Sequence, residues 1–201
     1  MPRPRFDRLP GARQRAVLDT AAAEFTAHGY HAASINRVQK SLSLSKGAFY
    51  YWFDDKEDLF LAVLLDRLGK MSASVGGLLT DAPSTAPLWD QVEATCAAMI
   101  AHALSDPETL LLFKAAVSLS PARSARTQAL WAQLQQATEA IVVEGQLRGS
   151  VRTDLPAALI ASVAVSILEG MDRYLLTRLE DTTPGDAARL YTDLLQRALG
   201  A

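Results

Sequence analysis

Residues Ser34–Leu59 read SINRVQKSLSLSKGAFYYWFDDKEDL. Ile35, Val38 and Leu42 recur at three- and four-residue steps behind Ser34, a good N-cap, and predict a short amphipathic helix. Ser45 is the next natural N-cap. Leu44 before it and Phe49 at the fourth helical position are spaced as a hydrophobic staple. Phe49 and Phe53, four apart, point one face of this second helix into a core. Lys46, Gly47, Ala48, Tyr50 and Tyr51 are left to face outward or sideways. Asp55 and Asp58 then stand like a capping box at the head of a third helix, where acidic charge suits the free backbone amides. Two short helices joined by a very tight turn make a helix-turn-helix over residues 34–53.

Outward from this stretch, helix follows helix. Leu18, Ala21, Ala22 and Phe25 give one buried face to a helix from about Ala12 to His28, and Gly29 stands where a C-terminus favours a left-handed residue. The first ten residues, with three prolines and three arginines, read as a mobile basic arm. The helix begun at Asp54 or Asp55 carries apolar residues as far as Leu78. Residues 80–87 read as a linker. A helix is expected from Leu88 to Leu104, and Asp106 with Pro107 caps the next. Ser120 and Pro121 repeat the device for a helix to about Leu147, ended by Gly149. Asp154 is expected to open a helix to about Glu180, and Thr183 with Pro184 the last, to about Leu199. No run shows the sustained alternation of a strand. The expected class is all-α with about nine helices, divided into a helix-turn-helix domain with a basic N-terminal arm at 1–56 and a second helical domain at 57–201.

Charge divides the same way. Residues 1–56 hold nine Lys/Arg against five Asp/Glu, whereas the remainder holds eleven against seventeen. A basic head on an acidic body fits a polyanion met by the head alone. A recognition helix must bring its N-terminal residues to base edges in the major groove. Gly47 and Ala48 are small enough for close approach, Ala48 can pack on a thymine methyl, and Lys46 can donate to guanine O6 and N7. Hydroxyls of Ser34, Ser45 and Tyr50 can donate to phosphates, and Lys56 beside free helix-start amides makes a phosphate clamp. Read from the residues alone, an ordinary helical hairpin with amphipathic tyrosines remains an alternative.

The run Ser34–Leu59, extended back through Ala21–Tyr30 with Phe25 and the Gly29-Tyr30 pair, resembles the DNA-binding domain of the tetracycline-repressor (TetR) family. The resemblance covers about the first 60 residues, and beyond them the chain follows the family in layout. It implies an all-helical homodimer whose third helix enters the major groove of a double-stranded, palindromic DNA operator. It also implies a divergent C-terminal domain that binds a small-molecule inducer. The matching DNA-contact positions are Ser34, Arg37, Ser45, Lys46, Gly47, Ala48, Tyr50, Tyr51 and Lys56. Two features depart from the family. Leu42-Ser43 replaces the usual Ala-Gly of the turn, so a left-handed Ser43 implies strain of roughly 1 kcal/mol. Trp52 stands where His or Tyr is common, a side chain for the phosphate backbone or for the junction between domains.

In the family layout the last two long helices pair with their dimer mates. Ile160, Val163, Ile167, Tyr191, Leu194 and Leu195 are the expected interface residues. Trp89, Met99, His102, Phe113, Trp131 and Tyr174 are the candidates for lining a ligand cavity, and their apolar, lightly aromatic character suits a hydrophobic or amphipathic molecule. Cys96 is a lone cysteine, so neither an internal disulfide nor a cysteine-built zinc site is available. The histidines and Cys96 fall on different helices, no catalytic spacing or Gly-rich phosphate loop is present, and neither an enzyme nor a cofactor or metal site is expected. No stretch approaches the roughly 20 apolar residues that span a bilayer, which points to a cytoplasmic protein without a membrane partner. The rivals from other classes are a protein-binding helical adaptor and, on the same fold, an activator. An adaptor has no need of lysines and hydroxyls gathered around a short helix of small residues.

Overall fold

The structure, a computed structural model, describes residues 3–75, 86–118, 124–175, 178 and 182–201. Ten helices lie among them: α1 Pro4–Asp7, α2 Gly11–Ala32, α3 Ile35–Ser41, α4 Lys46–Trp52, α5 Lys56–Val75, α6 Leu88–Ser105, α7 Pro107–Ser118, α8 Ala125–Leu147, α9 Ala157–Leu175 and α10 Pro184–Leu199. Residues 80–85 of the expected linker and the expected cap at Ser120–Pro121 fall outside the described residues. Among those described, the all-helical class holds, and the one extended pairing is an isolated bridge between Val151 and Gly200.

Capping chemistry explains several of the helix starts. Ser45 Oγ accepts from the Ala48 amide at 3.2 Å, and Asp106 Oδ1 from the amides of Glu108 and Thr109. Thr183 Oγ1 accepts from the Asp186 amide with Pro184 at the first helical position. Gly149 adopts a positive φ of 68° beyond α8. Three helix starts differ from the expectation. Ser34 precedes α3 without a side-chain cap, and its own amide donates to Glu24 of α2. The described α8 starts behind Ser124, whose Oγ accepts from the Thr127 amide at 3.0 Å. Asp154 is drawn into a pair with Arg152, and α9 begins only after Pro156.

The residues form two compact units, Met1–Lys70 with Asp106–Leu119, and Met71–Ser105 with Ser120–Ala201. A cut after residue 56 therefore falls inside the first unit. Its core gathers Val17, Leu18, Ala21, Ala22 and Phe25 of α2 with Val38, Phe49, Phe53, Leu59, Phe60 and Leu112. The basic arm does not hang free. Residues 4–7 are helical, and Phe6 is buried against Phe53, with ring centroids 4.8 Å apart. One apolar ring suffices to dock the segment, because burying a Phe stabilises by roughly 1.5–3 kcal/mol. Trp52 is accordingly buried edge-on to Phe6, and its carbonyl accepts from the Arg3 amide at 2.8 Å. That places it inside the first unit and removes it from any role on a phosphate backbone.

Arg67 is also buried in this unit. It donates to Asp19 Oδ1 of α2 at 3.0 Å, to its neighbour Asp66 at 3.1 Å and to Glu108 Oε2 of α7 at 3.5 Å. A buried guanidinium is tolerable only with such partners, so Arg67 ties α2, α5 and α7 together. In the second unit α6 and α10 pack together, as do α8 and α9. Gly145 sits where an added Cβ would come within 2.5 Å of Val151 and 2.8 Å of Leu88.

Candidate nucleic-acid interface

The turn between α3 and α4 closes by backbone hydrogen bonds, from the Ser43 amide to the Lys40 carbonyl and from the Leu44 amide to the Gln39 carbonyl at 2.9 Å. Returning the chain that sharply forces a positive φ, and Ser43 adopts +52°. Ser43 is thus the residue that carries the strain expected from losing the usual glycine. Leu42, in place of a smaller residue, finds room at the edge of the core.

From α4, Phe49 and Phe53 point inward and are fully buried, while Tyr50 and Tyr51 stay 42% and 49% exposed. Gly47 is exposed, and a Cβ added there would meet nothing within 4 Å. Its backbone is ordinary helix, so neither packing nor dihedral angle requires glycine. Ala48 follows, half-buried. The outer start of α4 is therefore smooth, low and flanked by two phenol rings. Lys46 begins the helix, but its side chain lies outside what is described.

The cations around α4 are mostly committed. Arg37 of α3 grips Glu24 of α2, with Nε 2.8 and 3.1 Å from the two carboxylate oxygens and Nη2 2.6 Å from Oε1. Nη2 also donates to the Ala32 carbonyl at 2.8 Å. The same Glu24 Oε1 accepts from the Ser34 amide at 2.8 Å. The Arg37 guanidinium holds the Glu24 carboxyl below its usual range, against a smaller opposing push from burial. Lys56 Nζ donates to the carbonyls of His31 at 2.8 Å and Ala33 at 3.3 Å, and lies 4.9 Å from the centre of the Tyr30 ring. Two of its three donors thus close the end of α2 and its exit, a task that the sequence reading, which made Lys56 a phosphate clamp, did not foresee. At the head of α5, Asp58 Oδ2 accepts from the Asp54 amide while the Asp58 amide donates to Asp55 Oδ1. This is the expected box, with its return bond one residue early.

The other candidate residues divide. Ile160, Tyr191 and Leu195 are buried within the protomer and Ile167 packs on the same cores, whereas Val163 and Leu194 are exposed. Three of the six expected interface residues thus already have apolar cover within the protomer. Of the ligand candidates, Trp89, Met99, His102, Trp131 and Tyr174 belong to the second unit, and Phe113, whose side chain lies outside what is described, to the first. Trp89 Nε1 donates to the Ser150 carbonyl at 3.1 Å, and the Arg178 guanidinium lies 4.1 Å over the Tyr174 ring. A depression of about 390 Å³ between Trp89 and Ala201 contains only the first of these five. No group of metal-ligating side chains occurs among the described residues, nor any helix long and apolar enough to cross a membrane.

An all-helical chain that presents a helix-turn-helix from a basic N-terminal unit belongs to the DNA-binding transcriptional regulators. Residues 17–63 match the family model described as bacterial regulatory proteins, tetR family. A transcriptional repressor of Mycobacterium tuberculosis is 36% identical over 73 residues, a match that spans 36% of this chain and 38% of that protein. The transcriptional repressor AcnR of Corynebacterium efficiens is 24% identical over 85% of each chain. Among solved structures, the regulator FadR of Bacillus subtilis in complex with stearoyl-CoA superposes with a TM-score of 0.71 at 13% identity, over 90% of this chain and 96% of that one. Residues 17–63 thus match the DNA-binding domain of the TetR family, and the relatives of the chain are transcriptional regulators and not enzymes.

Proposed function

We propose that the protein is a repressor that binds a palindromic operator as a homodimer and leaves it when a small hydrophobic or amphipathic molecule binds the second unit. The observation that carries the DNA contact is Gly47. Gly47 is the second residue of α4, with ordinary helical backbone and open space where a Cβ would stand, so nothing inside this protein asks for glycine there. A close-approaching partner does, and the exposed Tyr50 and Tyr51 beside it supply hydroxyls for phosphates. Ser34, Arg37, Ser45, Lys46, Ala48 and Lys56 are the other proposed contacts, with Arg37 reaching DNA through the Nη1 edge that Glu24 leaves open. The proposed domain split stays functional, with DNA held by the first residues and ligand and partner by the rest.

The dimer reading is supported by exposed apolar side chains on the last two helices, Leu159 and Val163 on α9 and Leu190 and Leu194 on α10. Isologous apolar patches of this kind are what a two-fold interface uses. Repression follows the names of the relatives above, and an amphipathic ligand is compatible with the stearoyl-CoA bound by FadR. Such a protein works in the cytoplasm.

The decisive experiment is a mobility shift with the protein's own upstream DNA at two salt concentrations, repeated with long-chain and short-chain acyl-CoA. Retardation that weakens with salt and is reversed by the long-chain compound is expected. Absence of salt-dependent retardation on that DNA and on every duplex selected from a random pool would overturn the reading.

A further inference from the structure

Three arginines around the recognition helix have different fates. Arg37 is neutralised by Glu24, and Arg3 by Asp54, with Nε and Nη2 2.9 and 2.6 Å from one carboxylate oxygen. Arg5 is held differently. Its guanidinium carbon lies 4.3 Å above the centre of the Tyr51 ring. A ring face attracts the cation but accepts none of its in-plane N–H groups, so the stack fixes the guanidinium plane without spending its donors. Among the described residues no carboxylate pairs with Arg5.

The position is fixed as firmly as the charge. α1 packs on α4, Phe6 is buried against Phe53 and Trp52, and the Arg3 amide is bonded to the Trp52 carbonyl. Arg5, one residue before that anchor, is exposed at the flank of the recognition helix beside an exposed tyrosine. An oriented cation whose N–H donors meet no acceptor among the described residues suits a phosphate oxygen at that place.

We propose that Arg5 is a further DNA ligand, clamping a backbone phosphate at the edge of the groove that α4 enters, with Tyr51 as its platform. The DNA interface thereby extends beyond the helix-turn-helix onto α1. The proposal rests on the DNA-binding reading above. Its occupant is the phosphodiester backbone, so Arg5 adds affinity for any duplex and no preference between bases.

Its test uses a duplex selected by the full-length protein from a random pool and a scrambled duplex of equal composition, titrated between low and moderate salt. Arg5→Ala is expected to weaken binding to both duplexes several-fold at low salt. It should also lower the slope of log affinity against log salt by about one for each protomer bound. The preference between duplexes and the melting temperature should stay as in the wild type. Arg5→Lys keeps the charge and should keep the slope. Two results would overturn the proposal alone: a wild-type slope in Arg5→Ala, or equal loss in Arg5→Ala and Arg5→Lys, which would mark a structural role. A wild-type protein that binds neither duplex defeats the regulator reading and this one with it.

Discussion

Glu24 shows how a residue away from the recognition helix can set what that helix pair does. Its carboxylate holds both the Ser34 amide and the Arg37 side chain, so it fixes where α3 begins and how the guanidinium is turned. Removing a negative charge near DNA should, by Coulomb attraction alone, tighten binding. Glu24→Gln is expected to do the reverse on a selected operator, weakening it several-fold, because Arg37 loses its fixed orientation. Combining it with Arg37→Ala should cost little more than Arg37→Ala alone, as a double-mutant cycle on the same duplex would measure. The acid response follows from the same contact. The folded-state pKa of Glu24 lies below the unfolded value of 4.5. Its stabilising effect is complete at neutral pH and is lost as pH falls from about 4.5 through the folded value. The Gln variant should therefore show a smaller drop in melting temperature across that acid range. Gly47→Ala makes a second residue-scale prediction: the thermal unfolding midpoint stays the same or rises slightly, because an added Cβ meets nothing, while operator affinity falls. The left-handed Ser43 was foreshadowed by the family resemblance, which puts a glycine at that place in the turn. The Glu24–Arg37 pair was not, because a separation of 13 residues carries no local signal.

Among the helices, legibility follows the range of the interactions that define each one. Where a capping oxygen and the amide that donates to it lie within one turn, as at Ser45, Asp106 and Thr183, the sequence marks the start. Where a distant or competing partner intervenes, it misleads. Asp154 carries the right chemistry to open α9 but is taken by Arg152, and Pro156 sets the true boundary. Helix α1 was hidden for a related reason. A four-residue helix that itself begins with Pro4 has no periodicity to read, and Phe6 becomes an anchor only once Phe53 and Trp52 have been brought beside it. The α8 residue Gly145 makes the corresponding prediction for packing. Gly145→Ala would push a methyl group into Val151 and Leu88, both buried, one of them stiff at its branched carbon. A loss of about 1–3 kcal/mol in denaturant unfolding is expected. An exposed helix glycine such as Gly170, where an added Cβ meets nothing, should instead gain slightly.

On the scale of the whole chain, hydrophobic periodicity says that a face is covered and not by what. Of six residues expected on the dimer interface, Ile160, Tyr191 and Leu195 face the protomer's own core, and Val163 and Leu194 remain exposed. Val163→Asp together with Leu194→Asp is accordingly expected to leave each protomer folded but monomeric in sedimentation equilibrium, with operator affinity reduced at least tenfold. A double variant that still sediments as a dimer would place the interface elsewhere. The proposed ligand site is the least legible part, because apolar residues that would line a cavity look the same as those that fill a core.

The grip of Arg67 on both Asp19 and Glu108 also bears on how such regulators can be recombined. The unit that reads DNA is discontinuous: it takes up residues 1–70 and then α7, with the 35 residues between belonging to the other unit. A chimera spliced at residue 70 would leave Arg67 without Glu108 and the α2 core without Leu112. A single crossover cannot carry the head intact to a new body. Designed sensors, and natural shuffling of operator and ligand specificities, would have to move α7 along with the first 70 residues or find a body whose equivalent helix offers the same acid and the same apolar face.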